Sequence, residues 1–134
     1  MPNTQAVGVA YSDPEFTTCY ASQELGYSAA AQGVVTQLTD KSTAVTLNKS
    51  SGRITMNAAS LAANTAVSFT LNNNSVSAND TIIVCVSGGG TAAAYTTYIS
   101  SLATGSAVIT LRNMTGGALA EAVIINFAII HGAS

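Results

Sequence analysis

Acid–base chemistry in this chain would have to use one histidine and six carboxylates. The histidine, His131, lies at the end of the last predicted strand and has no carboxylate near it in sequence. No G-x-S-x-G motif is present to hold a nucleophilic serine, as a Ser-His-Asp arrangement on an α/β-hydrolase fold would require. We therefore expect His131 to act neither as a base nor as a metal ligand, although folding could bring a carboxylate close to it.

The carboxylates are scattered as well, at Asp13, Glu15, Glu24, Asp40, Asp80 and Glu121. Asp40 and Asp80 precede predicted strands, and we expect both to accept hydrogen bonds from backbone amides in Asx-type turns. No D-x-D-x-D-G calcium ladder occurs, and the glycines at 88–90 lack the Lys-Thr of a phosphate loop. The sequence predicts no catalytic, metal-binding or cofactor-binding residues and no enzyme.

The composition favours self-association over binding to nucleic acid. Charged residues make up 7% of the chain, whereas it has 15 serines, 17 threonines and 10 asparagines. Interfaces form readily on such surfaces because few charges must be desolvated. The four cations, Lys41, Lys49, Arg53 and Arg112, stand apart, which argues against phosphate binding.

Membrane insertion and secretion are not expected either. The longest apolar run, Ala122–Ile130, is interrupted by Asn126 and is about half a membrane span. The first residues have neither a basic start nor a long apolar stretch, so we predict no secretory signal. Cys85 lies in the apolar run TIIVCV and is predicted to be a buried thiol, with a disulfide to Cys19 as the alternative.

The elements that must position these groups are short strands separated by turns. Residues 66–71 alternate, with Val67, Phe69 and Leu71 predicted to face inward. The runs TIIVCV and AVIINFAII are continuously apolar, which is typical of strands covered on both faces. Only Ala58–Ala63 looks locally helical. We predict strands near Val34–Leu38, Ala44–Leu47, Arg53–Asn57, Ala66–Leu71, Thr81–Ser87, Ala94–Ile99, Ala107–Asn113 and Glu121–His131.

About eight strands at a spacing of roughly ten residues predict an all-β protein, an antiparallel β-sandwich or jelly roll spanning residues 33–134. Residues 1–32 show no sustained period of 2 or 3.6, and we interpret them as an extended irregular arm that a partner surface orders. Four large rings in this arm, which need burial against a neighbouring protein, are the candidate capsid or partner contacts: Tyr11, Phe16, Tyr20 and Tyr27. Tyr95 and Tyr98, three residues apart in one strand, should face opposite sides.

Three segments carry a family resemblance: VTQLTDKSTAVTLNKSSGRITMNAASLAANTAVSFTLNN, TIIVCVSGGGTAAAYTTYI and GGALAEAVIINFAII. The chain from Gly33 to Ile130 resembles small virion structural proteins of tailed bacteriophages. These include capsid cement or decoration proteins and related fibre-knob domains. The resemblance implies a β-sandwich or jelly-roll subunit, usually trimeric, outside the capsid shell and made in the host cytoplasm. It assigns no functional residues.

The sequence thus leads to one expected function and one alternative. The first is a non-enzymatic capsid cement protein that binds the major capsid protein on the outer surface of the head as a homotrimer. The alternative is a receptor-binding knob of a tail or head fibre that recognises host glycans through loops such as 88–91 and 72–75. Neither function requires a cofactor, nucleic acid or a membrane.

Overall fold

The structure is a computed structural model that describes residues 15–133. A short 3-10 turn, Ala29–Ala31, precedes eight strands. The strands are β1 Gln32–Thr36, β2 Val45–Thr46, β3 Ser51–Thr55, β4 Ala66–Asn72, β5 Thr81–Gly88, β6 Tyr95–Ala103, β7 Ser106–Asn113 and β8 Ile124–Ile130. Each overlaps a strand predicted from the sequence.

The strands form two four-stranded sheets, which confirms the predicted all-β sandwich. Sheet A has the order β1-β3-β8-β5, and sheet B has the order β2-β4-β7-β6. Four of the pairings are antiparallel, but β1 pairs with β3 and β2 pairs with β4 in parallel. The expectation of an entirely antiparallel sandwich was therefore wrong for the first two strands, since a parallel pair needs a crossover that alternation within a strand does not reveal.

The core lies between the sheets and follows the predicted alternation. Phe69 of β4 pairs with Ile109 of β7, and both side chains are buried. In sheet A, β8 contributes Ile125, Phe127 and Ile129 to the same core. Alternate residues of each strand point to one face, so these side chains meet in a single layer between the sheets.

Two glycines allow a close approach at one edge of the core. Gly33 of β1 pairs with Gly52 of β3, and the Leu47 side chain packs against both. A Cβ on Gly52 would lie 2.7 Å from Leu47 Cδ2 and 2.8 Å from the Gly33 carbonyl oxygen. The glycines are thus required by packing at this position, not by a turn.

Ala58–Ala63 is not helical, contrary to the sequence prediction. Leu61 is buried and forms an isolated antiparallel bridge with Leu119. The two backbone hydrogen bonds of the bridge have nitrogen-to-oxygen distances of 2.9 and 3.0 Å. The Asn113 side-chain amide donates to the carbonyls of Leu61 and Ala62 at 3.1 and 3.2 Å. These long-range bonds outweigh the helix propensity of the alanines, because local propensity is weak compared with tertiary contacts.

Candidate functional site

The first candidate surface is the N-terminal segment, residues 15–28. It contains neither helix nor strand, and every residue in it is exposed. Phe16, Tyr20 and Leu25 are 66%, 93% and 88% exposed. Two of the four predicted contact rings, Phe16 and Tyr20, are therefore available to a partner, while Tyr11 lies outside the described residues.

The fourth predicted contact, Tyr27, instead attaches the segment to its own sandwich. Its hydroxyl donates a short hydrogen bond to the carbonyl of Ile129 in β8. Gln32 Nε2 donates to the Tyr27 carbonyl at 3.3 Å, and Lys49 Nζ donates to the Ala30 carbonyl at 3.0 Å. The end of the segment next to β1 is thus fixed to sheet A, whereas the rings further from β1 are left uncovered.

The second candidate surface is the outer face of sheet A, formed by the side chains that point away from the core. Val34 of β1, Ile83 of β5 and Ile130 of β8 are exposed there. Arg53 is the one charged residue in the outward positions, and its Nε lies 3.3 Å from Asn126 Oδ1. The outward positions are Gln32, Val34, Thr36, Ser51, Arg53, Thr55, Thr81, Ile83, Cys85, Ser87, Ile124, Asn126, Ala128 and Ile130.

A shallow concavity of about 490 Å³ lies within this face, where β1, β3 and β8 adjoin. Residues 32–34 and 51–53 line it together with Asn126 and Phe127. It is open to solvent, which suits part of a broad contact surface better than an enclosed small-molecule site.

Cys85 lies on this outer face and is exposed, so the prediction of a buried thiol was wrong. The strand that contains it is an edge strand of sheet A, and only alternate residues such as Ile82 reach the core. Cys19, in the N-terminal segment, is also exposed, and both thiols are free. The predicted alternative of a disulfide between them is not present.

Folding does bring a carboxylate to His131. Asp80 Oδ2 lies 3.2 Å from His131 Nδ1 and accepts the Ser77 amide at 2.8 Å. Asp80 Oδ1 accepts the Ser77 hydroxyl and the Gly132 amide, each at 3.0 Å. The serine hydroxyl bonds to the aspartate and not to the imidazole, so the cluster does not hold a nucleophile against a base.

The cluster instead closes a turn and fixes the segment after β8. Asp80 accepts backbone amides as predicted, but from Ser77 and Gly132 and not from the residue two positions on, so it does not form an Asx turn. These bonds, led by that from the Ser77 amide, lower the pKa of Asp80 despite its burial. Asp40 does form the predicted Asx turn, before β2, where its Oδ1 accepts the Ser42 amide at 2.8 Å.

Sequence reasoning missed a polar network under one end of the sandwich. Lys41 is buried, and its Nζ donates at 2.5 Å to the carbonyls of Asn57 and Glu121. The Glu121 carboxylate accepts the Tyr95 hydroxyl at 2.7 Å and the Thr91 amide at 3.0 Å. Burial lowers the pKa of Lys41, whereas burial and the bond to Glu121 raise that of Tyr95.

Every hydrogen bond in this network fixes a loop. Gln37, also buried, donates from Nε2 to the carbonyls of Lys41 and Thr43 at 3.0 Å and accepts the Asn57 amide at 3.0 Å. No sequence signal marked Lys41, since a lysine within TDKST is typical of an exposed turn. The carbonyls that surround it come from residues distant along the chain.

The outer face of sheet B carries a half-exposed tyrosine beside hydroxyl groups. Tyr98 is 47% exposed there, whereas Tyr95 is 8% exposed and faces the core, which confirms that the two rings point to opposite sides. Beside Tyr98, Thr110 Oγ1 lies 2.7 Å from Ser68 Oγ and also bonds to Ser100 Oγ. Thr110 is itself buried, so the exposed hydroxyls beside the ring are those of Ser68 and Ser100.

In the two loops that the sequence suggested for glycan contact, side chains form hydrogen bonds within the fold. In the loop at 72–75, the Asn73 amide group donates to the Lys49 carbonyl at 2.7 Å. In the loop at 88–91, the Thr91 hydroxyl donates to Glu121 at 2.7 Å. Their polar side chains are thus partly engaged within the fold.

Within residues 15–133, no group of three or more His, Cys, Asp or Glu side chains lies close enough to hold a metal ion. In the same part of the chain, no helix is long and apolar enough to cross a membrane. The fold defines the protein as a two-sheet β-sandwich. No family model, curated protein or solved structure matches the chain.

Proposed function

We propose that this protein is a non-enzymatic structural protein of a tailed-bacteriophage virion, a capsid cement protein that binds the outer surface of the head as a trimer. The observation that carries the proposal is the exposure of Phe16, Tyr20 and Leu25 in a segment that extends from a well-packed sandwich. Large apolar side chains left in solvent mark a surface that binds another protein chain, which includes a further copy of this protein within the trimer.

The use of the polar groups supports a structural role. His131 and Asp80 hold a turn and the segment after β8, and Glu121 holds the ends of β6 and β8. The Asp80 and Glu121 carboxylates are thus engaged in fixing the fold, and the nearby Ser77 hydroxyl bonds to Asp80 and not to the His131 ring.

The nature of the surface supports assembly. The exposed face of sheet A has one charged side chain, Arg53, among aliphatic and hydroxyl groups. Contact with another protein there requires the desolvation of few charges. The resemblance of residues 33–130 to phage virion proteins supports a tailed-bacteriophage virion as the particle to which the protein belongs.

The proposal is tested by measuring the protein's abundance in purified virions and its effect on heads. We expect hundreds of copies per particle by quantitative mass spectrometry. Heads lacking the protein should release DNA at a lower temperature than complete heads, and adding back the purified protein should restore the difference. A handful of copies per particle, or unchanged heat tolerance of heads without the protein, contradicts a cement role.

The second candidate is a receptor-binding knob for host glycans, and the observation that favours it is Tyr98. A half-exposed ring beside the exposed hydroxyls of Ser68 and Ser100, which bond to the buried Thr110, presents both a stacking surface and hydrogen-bonding groups to a sugar. Glycan-array binding that is lost in Tyr98→Ala, together with a low copy number in virions, would favour the knob.

A further inference from the structure

We propose that the N-terminal segment, residues 15–28, of one copy docks on the outer face of sheet A of a second copy. The inference deepens the proposed trimer by naming the two surfaces that meet, and it rests on that part of the proposed function. Both surfaces are uncovered in the single chain, and they are complementary in charge and in side-chain type.

The first argument is the mismatch between the sequence of sheet A and its exposure. The apolar runs of β5 and β8 are typical of strands covered on both faces. In the single chain, Ile82 and Ile129 are buried in the core, but Ile83 and Ile130 on the other face are 55% and 56% exposed. A second layer over this face would account for the apolar residues at the outward positions.

The second argument is chemical complementarity. The N-terminal segment carries Glu15 and Glu24 and no cation, whereas the outward positions of sheet A carry Arg53 and no acid. The segment also supplies the large rings Phe16 and Tyr20, and the face supplies aliphatic side chains. When the acidic, aromatic N-terminal segment lies on the aliphatic face that carries Arg53, opposite charges and apolar surfaces come together.

The third argument is that the segment is long enough to reach a second copy. The segment is fixed to its own sandwich only at its β1 end, through Tyr27, and residues 15–26 remain exposed beyond that point. When extended, these residues reach up to about 40 Å, which is more than the width of about 14 Å across the strands of a four-stranded sheet. They are thus long enough to cross the corresponding face of a neighbouring copy.

The size of the contact is adequate for assembly. Each buried aromatic side chain removes about 150–250 Å² from solvent. The area that Phe16, Tyr20, Leu25 and the aliphatic side chains beneath them would bury approaches the roughly 800 Å² per partner of a standard interface. If each copy gives its segment to the next, the contact is heterologous, and it forms a ring such as a trimer when the rotation between copies closes.

The central experiment uses two variants that damage opposite halves of the contact. The segment variant is Phe16→Ser with Tyr20→Ser, and the face variant is Ile83→Ser with Ile130→Ser. All four side chains are more than half exposed, so both proteins should fold, which circular dichroism and urea unfolding will verify. Association is measured by sedimentation equilibrium of the full chain without virions, and Tyr98→Ser on sheet B is the matched control.

We expect the wild-type protein and the control to associate and each variant alone to associate at least about tenfold more weakly. A 1:1 mixture of the two variants should regain a heterodimer, because one supplies an intact segment and the other an intact face. A wild-type protein that stays monomeric up to about 100 µM, a segment variant that associates normally, or a mixture that shows no heterodimer overturns the proposal.

The two free cysteines provide a second readout, since Cys19 lies between Phe16 and Tyr20 and Cys85 lies on the outer face of sheet A. Diamide oxidises two thiols to a disulfide and takes up both hydrogens to become a hydrazine. We expect a Cys19–Cys85 disulfide between copies, which disappears in Cys19→Ser. Links between two copies of Cys85 alone, or no mixed link, overturn the proposed contact.

Failure here is distinguishable from failure of the proposed function. Association and cross-linking are measured on the isolated protein, whereas the cement role is measured by copy number and heat tolerance of heads. A protein abundant in virions that does not exchange segments would retain the cement role and lose this inference.

Discussion

Tyr95 and Glu121 join the two sheets through a 2.7 Å hydrogen bond from the tyrosine hydroxyl to Oε2. Tyr95 begins β6 of sheet B, and Glu121 lies just before β8 of sheet A. Lys41 donates to the carbonyl of the same glutamate at 2.5 Å. Glu121 is therefore held through its side chain and its backbone at once, and the network around it should affect stability in a pH-dependent way.

Replacing Tyr95 with Phe should remove part of the loss of stability at alkaline pH. Burial and the bond to Glu121 raise the pKa of Tyr95 in the folded state, so the unfolded chain ionises first. Stability from this group is present below pH 10 and is lost as the pH rises above it. Lys41 has the opposite effect because its pKa is lowered. The difference between wild type and Tyr95→Phe, measured by urea unfolding between about pH 9 and 11, isolates the tyrosine.

Replacing Lys41 with Met should destabilise the protein by about 2–3 kcal/mol. The methionine keeps most of the apolar stem, but the carbonyls of Asn57 and Glu121 lose a charged donor. Lys49→Met is the matched control, since within residues 15–133 Lys49 Nζ bonds a single carbonyl, that of Ala30, from a partly exposed position, and its effect should stay within about 0.5 kcal/mol. Equal free energies of unfolding for both variants would contradict the role assigned to Lys41.

Asp80→Asn should weaken the protein at neutral pH and reduce its sensitivity to acid. The hydrogen bonds from Ser77 and Gly132 hold the pKa of Asp80 below its ordinary value of 3.8. Stability from this carboxylate is therefore present above that value and is lost as the pH falls through the lower folded-state pKa. Melting temperatures measured from pH 7 to about pH 2 should fall less steeply in the variant. A parallel decline in both proteins would count against this assignment.

The neighbours Ile82 and Ile83 test which face of β5 is buried. Ile82 is 7% exposed and lies in the core, so Ile82→Ala should cost about 2–4 kcal/mol. Ile83 is 55% exposed, and Ile83→Ala should change the free energy of unfolding of the monomer by less than about 0.5 kcal/mol. Urea unfolding at low protein concentration separates this effect from association. A larger loss at Ile83 would reverse the assigned faces.

The strands were predictable because their side chains alternate. Val67, Phe69 and Leu71 identified β4 and its inward face, and Gly105 lies in the turn between β6 and β7. Gly105 has a φ of 81°, a conformation that favours glycine. Local patterns of this kind survive in the fold because one face of each strand meets the core.

The remaining features depend on contacts between distant residues. The parallel pairing of β1 with β3 arises from how the chain crosses between sheets, and the bridge between Leu61 and Leu119 overrides a helical pattern. Lys41 is buried because carbonyls from residues 57 and 121 converge on it. Cys85 was expected to be covered because its sequence run is apolar, yet the single chain leaves that side open.

The position of β8 sets an order in which the protein can fold as it is synthesised. Sheet B contains no strand beyond β7, so it can be completed once Asn113 has left the ribosome. In sheet A, β8 lies between β3 and β5, and these strands stay apart until Ile124–Ile130 inserts between them. A nascent chain that stalls before this point exposes unpaired strand edges that favour aggregation. Productive synthesis of this protein thus depends on prompt translation of the segment between Asn113 and Ile130.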